Sequence, residues 1–383
     1  MKVLVVHNRY RQHGGEERAV DLQLAALRRA GIEHAALIRD SASAGSVRAA
    51  RALLRGGEHE QEVADAVRAL GADAVHVHNM NPLFGPRALQ SARDAGARVI
   101  LHLHNFRLFC SIATCFRDGA PCFRCRGRFT LPAVALNCRD SLAESAVYAT
   151  ALSLHQPSVF DAVDRFATPS EYARGQLAEL GLPPERVTVL PNYTDRFVEH
   201  SRADQGTYAV AFGRLSPEKG FEVAVEAAAI AGVPLRIAGS GPLEGALRAR
   251  TAAIMGQVEL LGEVPPARLA TLLSGAAMVL VPSLGGDVMP YAALEAMAAG
   301  LPVIASESGS LPELVGAERC VPRGDPQALA SAMSALWADP ARRQTEGDAL
   351  LARARDRFGE ERYVRALTGL YEAVMHSVGA YRP

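Results

Sequence analysis

Asp287 and Glu295 lie eight positions apart within PSLGGDVMPYAALEAMAAGLPVIASESGSLPE, residues 282–313. Asp287 falls in a Gly-Gly turn after the apolar run AAMVLVP. Glu295 falls on a helical pattern in which Leu294, Met297 and Ala298 recur, and Gly300 and Pro302 separate it from the apolar run VIA. Strand, loop, helix and strand form the unit in which an α/β protein holds a ligand at the carboxyl ends of its strands. A carboxylate can accept both hydroxyls of a ribose cis-diol by charge-assisted hydrogen bonds. The spacing therefore lets Glu295 reach a ribose while Asp287 reaches a bound sugar, the chemistry of a nucleotide-sugar donor site. The plain alternatives are Asp287 as a helix N-cap and Glu295 as an exposed helical charge.

Cations for a diphosphate stand in GRLSPEKG, residues 213–220, between a strand and a helix expected over 218–231. Arg214 offers a planar fork and Lys219 a point charge, so both can converge on phosphate oxygens; otherwise they are solvated cations beside a Ser-Pro helix start. Gly239 in GSGP and Val264 in GEV end successive strands at the same edge and border a nucleotide base, or are ordinary turns. In the first half, Gly14 and Gly15 separate the first strand from the first helix. Backbone N–H groups and a helix N-terminus there favour an anion. HNRYRQHGGEE is not GxGxxG, so a dinucleotide fingerprint is absent. His104 and Asn105 end the strand VILHLH at a carboxyl edge, where a histidine is either structural or part of a site.

Five of the six cysteines fall between Cys110 and Cys138. Cys122 and Cys125 form a C-x-x-C knuckle flanked by Cys110 and Cys138, which suggests a closed structural zinc site; Cys115 could replace one ligand, and buried thiols or a redox pair are the alternatives. The same stretch interleaves Arg117, Arg124, Arg126 and Arg128 with Phe116, Phe123 and Phe129. Such a loop suits a phosphorylated or lipid-linked acceptor at a membrane surface, or is a solvated face. Arg48, Arg51 and Arg55 on a short helix invite the same reading.

The elements that must position these residues follow from the alternation of apolar runs and helical patterns. Strands are expected at VLVV, HAALI, DAVHVH and RVILHLH, with helices from Glu16 and across PRALQSARDAG. A second series runs YAVAFG, PLRIAG, VELLG and AAMVLVP. Both imply parallel sheets with helices on both faces. The alternation pauses around residues 191–207, so the expected domains are 1–195 and 196–361; the last helical pattern, 359–378, could pack on either. Hydrophobic residues make up 49% and charged residues 21%, and 41 basic balance 41 acidic, so no global field argues for nucleic acid. MKVLVV reads as a strand rather than a signal segment, and no apolar run approaches the ~18 residues needed to span a bilayer. A cytoplasmic protein with reduced thiols is expected, with peripheral contact at the inner membrane face as the most that the sequence allows.

These segments together, with TPSEYARGQL and LPN, resemble the retaining glycosyltransferases of family 4, and the likeness covers nearly the whole chain. It is nearest a bacterial subgroup with the HNFR and CxxC segments. The resemblance implies a GT-B fold of two Rossmann-like domains whose sheets face an interdomain cleft. It also implies that the C-terminal helix, about 362–383, crosses back onto the first domain. By the same likeness Arg214 and Lys219 hold the donor diphosphate, Glu295 the ribose, and His104 lies near the donor sugar, with Gly15 near the phosphates. Asp287 stands where the family usually has Glu, one methylene shorter. The activity implied is metal-independent transfer of a glycosyl group from a UDP- or GDP-sugar to an acceptor hydroxyl on a glycan, lipid-linked glycan or small molecule. Surface polysaccharide or specialised metabolites are the expected settings. A nucleotide-sugar epimerase and a non-catalytic transferase partner are the alternatives.

Overall fold

The computed structural model describes residues 1–10, 14–252 and 257–376. The chain divides into two compact units, one made of Met1–Cys115, Cys122–Pro191 and the described chain from Tyr363 on, the other of Phe116–Pro121 and Asn192–Arg362.

The first unit runs β1 (Lys2–Arg9), α1 (Gly15–Arg29), β2 (Glu33–Asp40), α2 (Ser46–Arg55), α3 (Glu60–Leu70), β3 (Ala74–Val77), α4 (Gly85–Asp94) and β4 (Arg98–His102). After the hairpin β5 (Phe116–Arg117) and β6 (Ala120–Pro121) come α5 (Leu131–Ala135), α6 (Leu142–Ala162), β7 (Arg165–Thr168), α7 (Glu171–Glu179) and β8 (Val187–Val189). Its six strands pair in the order β2-β1-β3-β4-β7-β8, all parallel. The order reverses between β1 and β3, and such a switch point opens a crevice at the carboxyl ends of the strands. Val3, Leu4, Val5 and Val6 of β1 are all buried, as a continuous apolar run requires when both faces of a parallel sheet are covered.

The second unit runs β9 (Tyr208–Phe212), α8 (Phe221–Ala231), β10 (Leu235–Ala238), α9 (Glu244–Ala252), β11 (Val258–Gly262), α10 (Pro266–Ser274), β12 (Ala276–Val281) and α11 (Tyr291–Ala298). It continues through β13 (Val303–Ser306), α12 (Leu311–Val315), β14 (Cys320–Val321), α13 (Pro326–Trp337) and α14 (Pro340–Phe358). The strand order is β11-β10-β9-β12-β13-β14, again parallel, with the reversal between β9 and β12. Val210 and Val279 face one apolar cluster with Leu294 and Leu311, while Ala209 and Leu280 face another with Val225 and Met333. Burying one such large aliphatic side chain is worth about 1.5–3 kcal/mol. The two halves share an architecture but not a strand order, a difference that periodicity cannot register.

The chain then returns to the first unit through α15 (Glu360–His376), where Tyr363, Leu367, Leu370, Tyr371 and Val374 are buried. Residues 377–378 of the expected last helix lie outside the described residues.

Two expected helix starts shift. The helix expected from Glu218 begins at Phe221, because 217–219 form a 3₁₀ turn ended by Gly220 at φ +68°. The helix expected just after Asp287 begins at Tyr291, with Pro290 before it in extended conformation. Gly220 also packs directly on the loop after β12: a Cβ there would lie 2.0 Å from the Pro282 carbonyl oxygen. Gly220→Ala is therefore expected to lower the thermal midpoint of the second unit, losing at least about 1–3 kcal/mol from backbone strain alone. Calorimetry of the two proteins checks this, with Gly232→Ala (φ +68° but nothing within 4 Å) as the milder control.

Candidate active site

In the second unit, the loops after β9 and β12 meet at the switch point. Leu284 and Gly285 donate their backbone N–H groups to the Glu218 carbonyl at 2.8 and 2.9 Å. Lys219 Nζ lies 2.5 Å from Asp287 Oδ1, and the Ser283 hydroxyl donates to Asp287 Oδ2 at 2.5 Å. Asp287 is thus no helix cap; its carboxylate fixes Lys219. Arg214 donates to Glu218 Oε1 at 2.7 Å, and the Ser216 hydroxyl donates to the same oxygen at 2.6 Å. Burial alone would raise the Glu218 carboxyl, but the Ser216 hydrogen bond and Arg214 more than reverse it and hold it below the usual value. Each cation therefore carries its own carboxylate, yet the Arg214 side chain remains 51% exposed and available to a ligand.

Gly239 brings the loop after β10 against the loop after β9. At φ +145° it takes a conformation side chains rarely adopt, and a Cβ would lie 1.9 Å from the Gly213 carbonyl oxygen. Val264 is half-buried and packs on the core. Glu295 is half-buried on α11, on the element that follows β12. The structure thus ties Lys219 to Asp287, holds Arg214 on Glu218, the residue before Lys219, and places Glu295 on the adjoining helix.

In the first unit, the carboxyl edge of the sheet carries a ladder of histidines. His78 Nδ1 lies 2.8 Å from His104 Nε2 with the rings only 9° apart, and His76 Nε2 lies 3.3 Å from His102 Nδ1. The tautomers of the second pair follow from α15. Tyr363 donates to Gln23 Oε1 at 3.2 Å, which leaves the Gln23 amide nitrogen to donate to His76 Nδ1 at 3.0 Å. His76 then carries its proton on Nε2 and donates to His102 Nδ1, so His102 keeps a proton on Nε2, a buried atom without a partner. Burial, reinforced by neighbouring imidazoles, lowers the basicity of all four: His76 falls to about 3, and His78, His102 and His104 fall well below the ordinary value. They are neutral at physiological pH. Among the described residues, His76, His78 and His102 are the group of possible metal ligands whose atoms lie within 4.8 Å of one another. Since His76 and His102 spend facing nitrogens on each other, the group is a hydrogen-bonded ladder rather than a metal centre.

Beside the ladder, Glu17 accepts the backbone N–H groups of Tyr10 and Gly14, both at 2.9 Å. A carboxylate of the chain thereby occupies part of the anion position expected at Gly14 and Gly15. Glu16 accepts from the Tyr10 hydroxyl at 3.0 Å and from Asn105 Nδ2 at 3.2 Å, and Arg107 lies 5.1 Å from the Tyr10 ring centre. Sequence reasoning passed over Glu16 and Glu17 as the polar start of a helix, although GGEE was the available signal.

A tetrahedral zinc site would hold sulfurs about 3.8 Å apart on bonds of about 2.3 Å. Among the described residues Cys110, Cys122, Cys125 and Cys138 do not gather within even 4.8 Å as a ligand group, and all are free thiols. Cys110 and Cys115 share a hydrogen bond that pulls the Cys110 thiol down to about 6, and Cys110, Cys122 and Cys138 all act electrostatically on Cys125. The loop arginines are tied locally: Arg126 donates to the Phe123 carbonyl at 3.3 Å, Arg128 to the Ser153 carbonyl at 3.0 Å, and Arg117 pairs with Asp118 at 3.0 Å. Among the described residues no helix is long and apolar enough to cross a membrane.

Residues 14–193 match the family described as glycosyl transferase 4-like domain, and residues 206–339 that described as glycosyl transferases group 1. The chain is 33% identical over 184 residues to a Salmonella typhimurium protein named as a colanic acid biosynthesis glycosyltransferase, WcaL, covering 43% of this chain and 45% of that protein. It is 33% identical over 186 residues to the amylovoran biosynthesis glycosyltransferase AmsK of Erwinia amylovora, covering 42% and 44%. The chain thus spans less than half the length of these relatives. Anabaena HepE in complex with UDP-glucose superposes with a TM-score of 0.67 at 17% identity over 97% of this chain and all of that one. Sucrose-phosphate synthase from Thermosynechococcus elongatus gives 0.69 at 20% identity over 99% and 100%. Two parallel Rossmann-like sheets, each overlapping its own matched glycosyltransferase domain model, give this chain the GT-B fold.

Proposed function

We propose that the chain transfers a glycosyl group from a nucleoside diphosphate sugar, UDP- or GDP-linked, to an acceptor hydroxyl with retention of anomeric configuration, in the assembly of a surface polysaccharide. The observation that carries this reading is the pair of cations at the switch point of the second unit, Arg214 and Lys219, each oriented by its own carboxylate. The relatives named for colanic acid and amylovoran biosynthesis support the polysaccharide setting, and HepE with UDP-glucose supports the donor class.

In this mechanism the bond between the anomeric carbon and the diphosphate oxygen breaks, and its electron pair goes to the leaving phosphate. Arg214 and Lys219 stabilise that charge where a divalent cation otherwise would. A preorganised charge of this kind is worth about 3–4 kcal/mol, or roughly 10²–10³ in rate. The acceptor oxygen bonds to the anomeric carbon on the same face, and its proton passes to the leaving phosphate oxygen. Glu295 takes the ribose hydroxyls. Asp287, already holding Lys219, contributes to the sugar contact across a side chain one methylene shorter than glutamate. His104 serves as a neutral imidazole at the edge of the first sheet.

Nucleoside diphosphates should raise the thermal midpoint of the protein, because a ligand that binds only the folded state stabilises it; a panel of UDP, GDP, ADP and TDP identifies the base. No shift with any of them defeats the donor assignment. Arg214→Ala and Lys219→Ala are each expected to lower turnover at least about tenfold with weaker donor binding, and steady-state kinetics showing both near wild type would overturn the phosphate roles. Asp287→Glu should keep activity while changing preference among nucleotide sugars, as read from product ratios in donor competition.

A further inference from the structure

We infer that Glu16 is an acceptor-binding carboxylate, taking a hydrogen bond from a hydroxyl of a neutral sugar at the carboxyl edge of the first sheet. The inference rests on the transferase reading above and names a residue for the substrate that reading leaves open.

Three segments build this position. The loop after β1 brings Tyr10, the first turn of α1 brings Glu16, and the chain just past β4 brings Asn105 and Arg107. They converge at the strand edge beside the β1/β3 reversal, where an open α/β sheet binds its ligand. Tyr10 and Asn105 donate to Glu16 Oε2, and Asn105 also donates to the Tyr10 hydroxyl at 3.2 Å, so two neutral donors set the carboxylate. Asn105 is itself fixed, since its Oδ1 accepts the Arg107 backbone N–H at 2.9 Å. Glu16 as a whole residue is half-buried at this edge.

The chemistry points to a neutral polyol. Arg107 alone would favour a phosphate, but a carboxylate in the same cluster repels one. A carboxylate that accepts and a guanidinium that donates together fit adjacent hydroxyls of a sugar. The Arg107 Nε is buried without a hydrogen-bond partner, which leaves a donor to satisfy. Glu17 is not the candidate, since its two oxygens are taken by the backbone N–H groups of Tyr10 and Gly14.

The site also carries a pH signature. Burial lifts the Glu16 carboxyl to about 7, with Glu17 adding to the rise and His7, the Tyr10 hydroxyl and Arg107 opposing it. The ionised form accepts the hydroxyl, so acceptor use is gained as pH rises through about 7 and lost below it.

The test uses the full chain with UDP-glucose, UDP-galactose and GDP-mannose as donors and 4-nitrophenyl glycosides as acceptors. Donor hydrolysis is followed alongside, with water in the place of the hydroxyl. Glu16→Gln should raise the acceptor KM at least tenfold, slow hydrolysis by a similar factor, leave the donor KM unchanged, and abolish the acid limb near pH 7. Tyr10→Phe removes a hydrogen bond to the ionised carboxylate and should move that limb to higher pH, a response that loss of fold does not produce. A folded Glu16→Gln protein with wild-type acceptor KM, hydrolysis and pH profile overturns the Glu16 role alone. A wild-type chain that binds none of the donors overturns the transferase reading, and this inference with it.

Discussion

The loop after β9 and the loop after β12 belong to strands that run side by side but whose helices diverge, and the Glu218 carbonyl ties them together. Two backbone N–H groups from 284–285 end on it, and the next residue, Lys219, reaches across to Asp287. Without those bonds the switch point would be an open gap between two mobile turns. With them, Arg214 and Lys219 stand on a framework of main-chain hydrogen bonds, which under the proposed function would need little reordering when charge develops on a phosphate. The pairing of each cation with a carboxylate also resolves a physical difficulty. Two like charges beside each other in a half-buried crevice would repel, and Glu218 and Asp287 hold them in register while leaving Arg214 exposed.

The first unit solves a different problem at the corresponding edge. Its histidines are buried where an imidazolium would be costly, so they remain neutral and share hydrogen bonds in pairs. The direction of those bonds is set outside the sheet, by Tyr363, Tyr371 and Gln23. A helix separated by the entire second unit in sequence thereby decides which nitrogen of His76 bears a proton.

Much of this was legible from the chain. Apolar runs such as AAMVLV and VLVV announced both parallel sheets, and the Gly-containing loops after them lie at the carboxyl ends of those strands. Arg214, Lys219 and Asp287 were selected by type and position, and the fold brings them together. Their partners were not legible, because the 68 positions between Lys219 and Asp287 leave no periodic trace. The helix starts at 221 and 291 differ from the hydrophobic pattern because Gly220 and Pro290 take backbone conformations that a hydrophobic period cannot express. The cysteine spacing suggests a knuckle, but it carries no trace of the left-handed backbone at Ala113 and Cys115 or of the Cys110–Cys115 hydrogen bond. Glu16 and Glu17 were hidden by their ordinariness, as acidic residues suit any first helical turn. Only the loop geometry separates the one that locks the turn from the one that faces the edge.

The return of α15 to the first unit makes the second an insertion within the first, and that sets an order of events on the ribosome. The strands of the first sheet emerge early, yet Tyr363 and Tyr371 are synthesised only after every strand of the second sheet has appeared. The second unit can close as soon as its own residues are free. Until that last helix is made, His76 has Gln23 but not Tyr371, and Gln23 lacks Tyr363, so the contacts of the first unit are completed last. The segment completed first is therefore not the segment translated first.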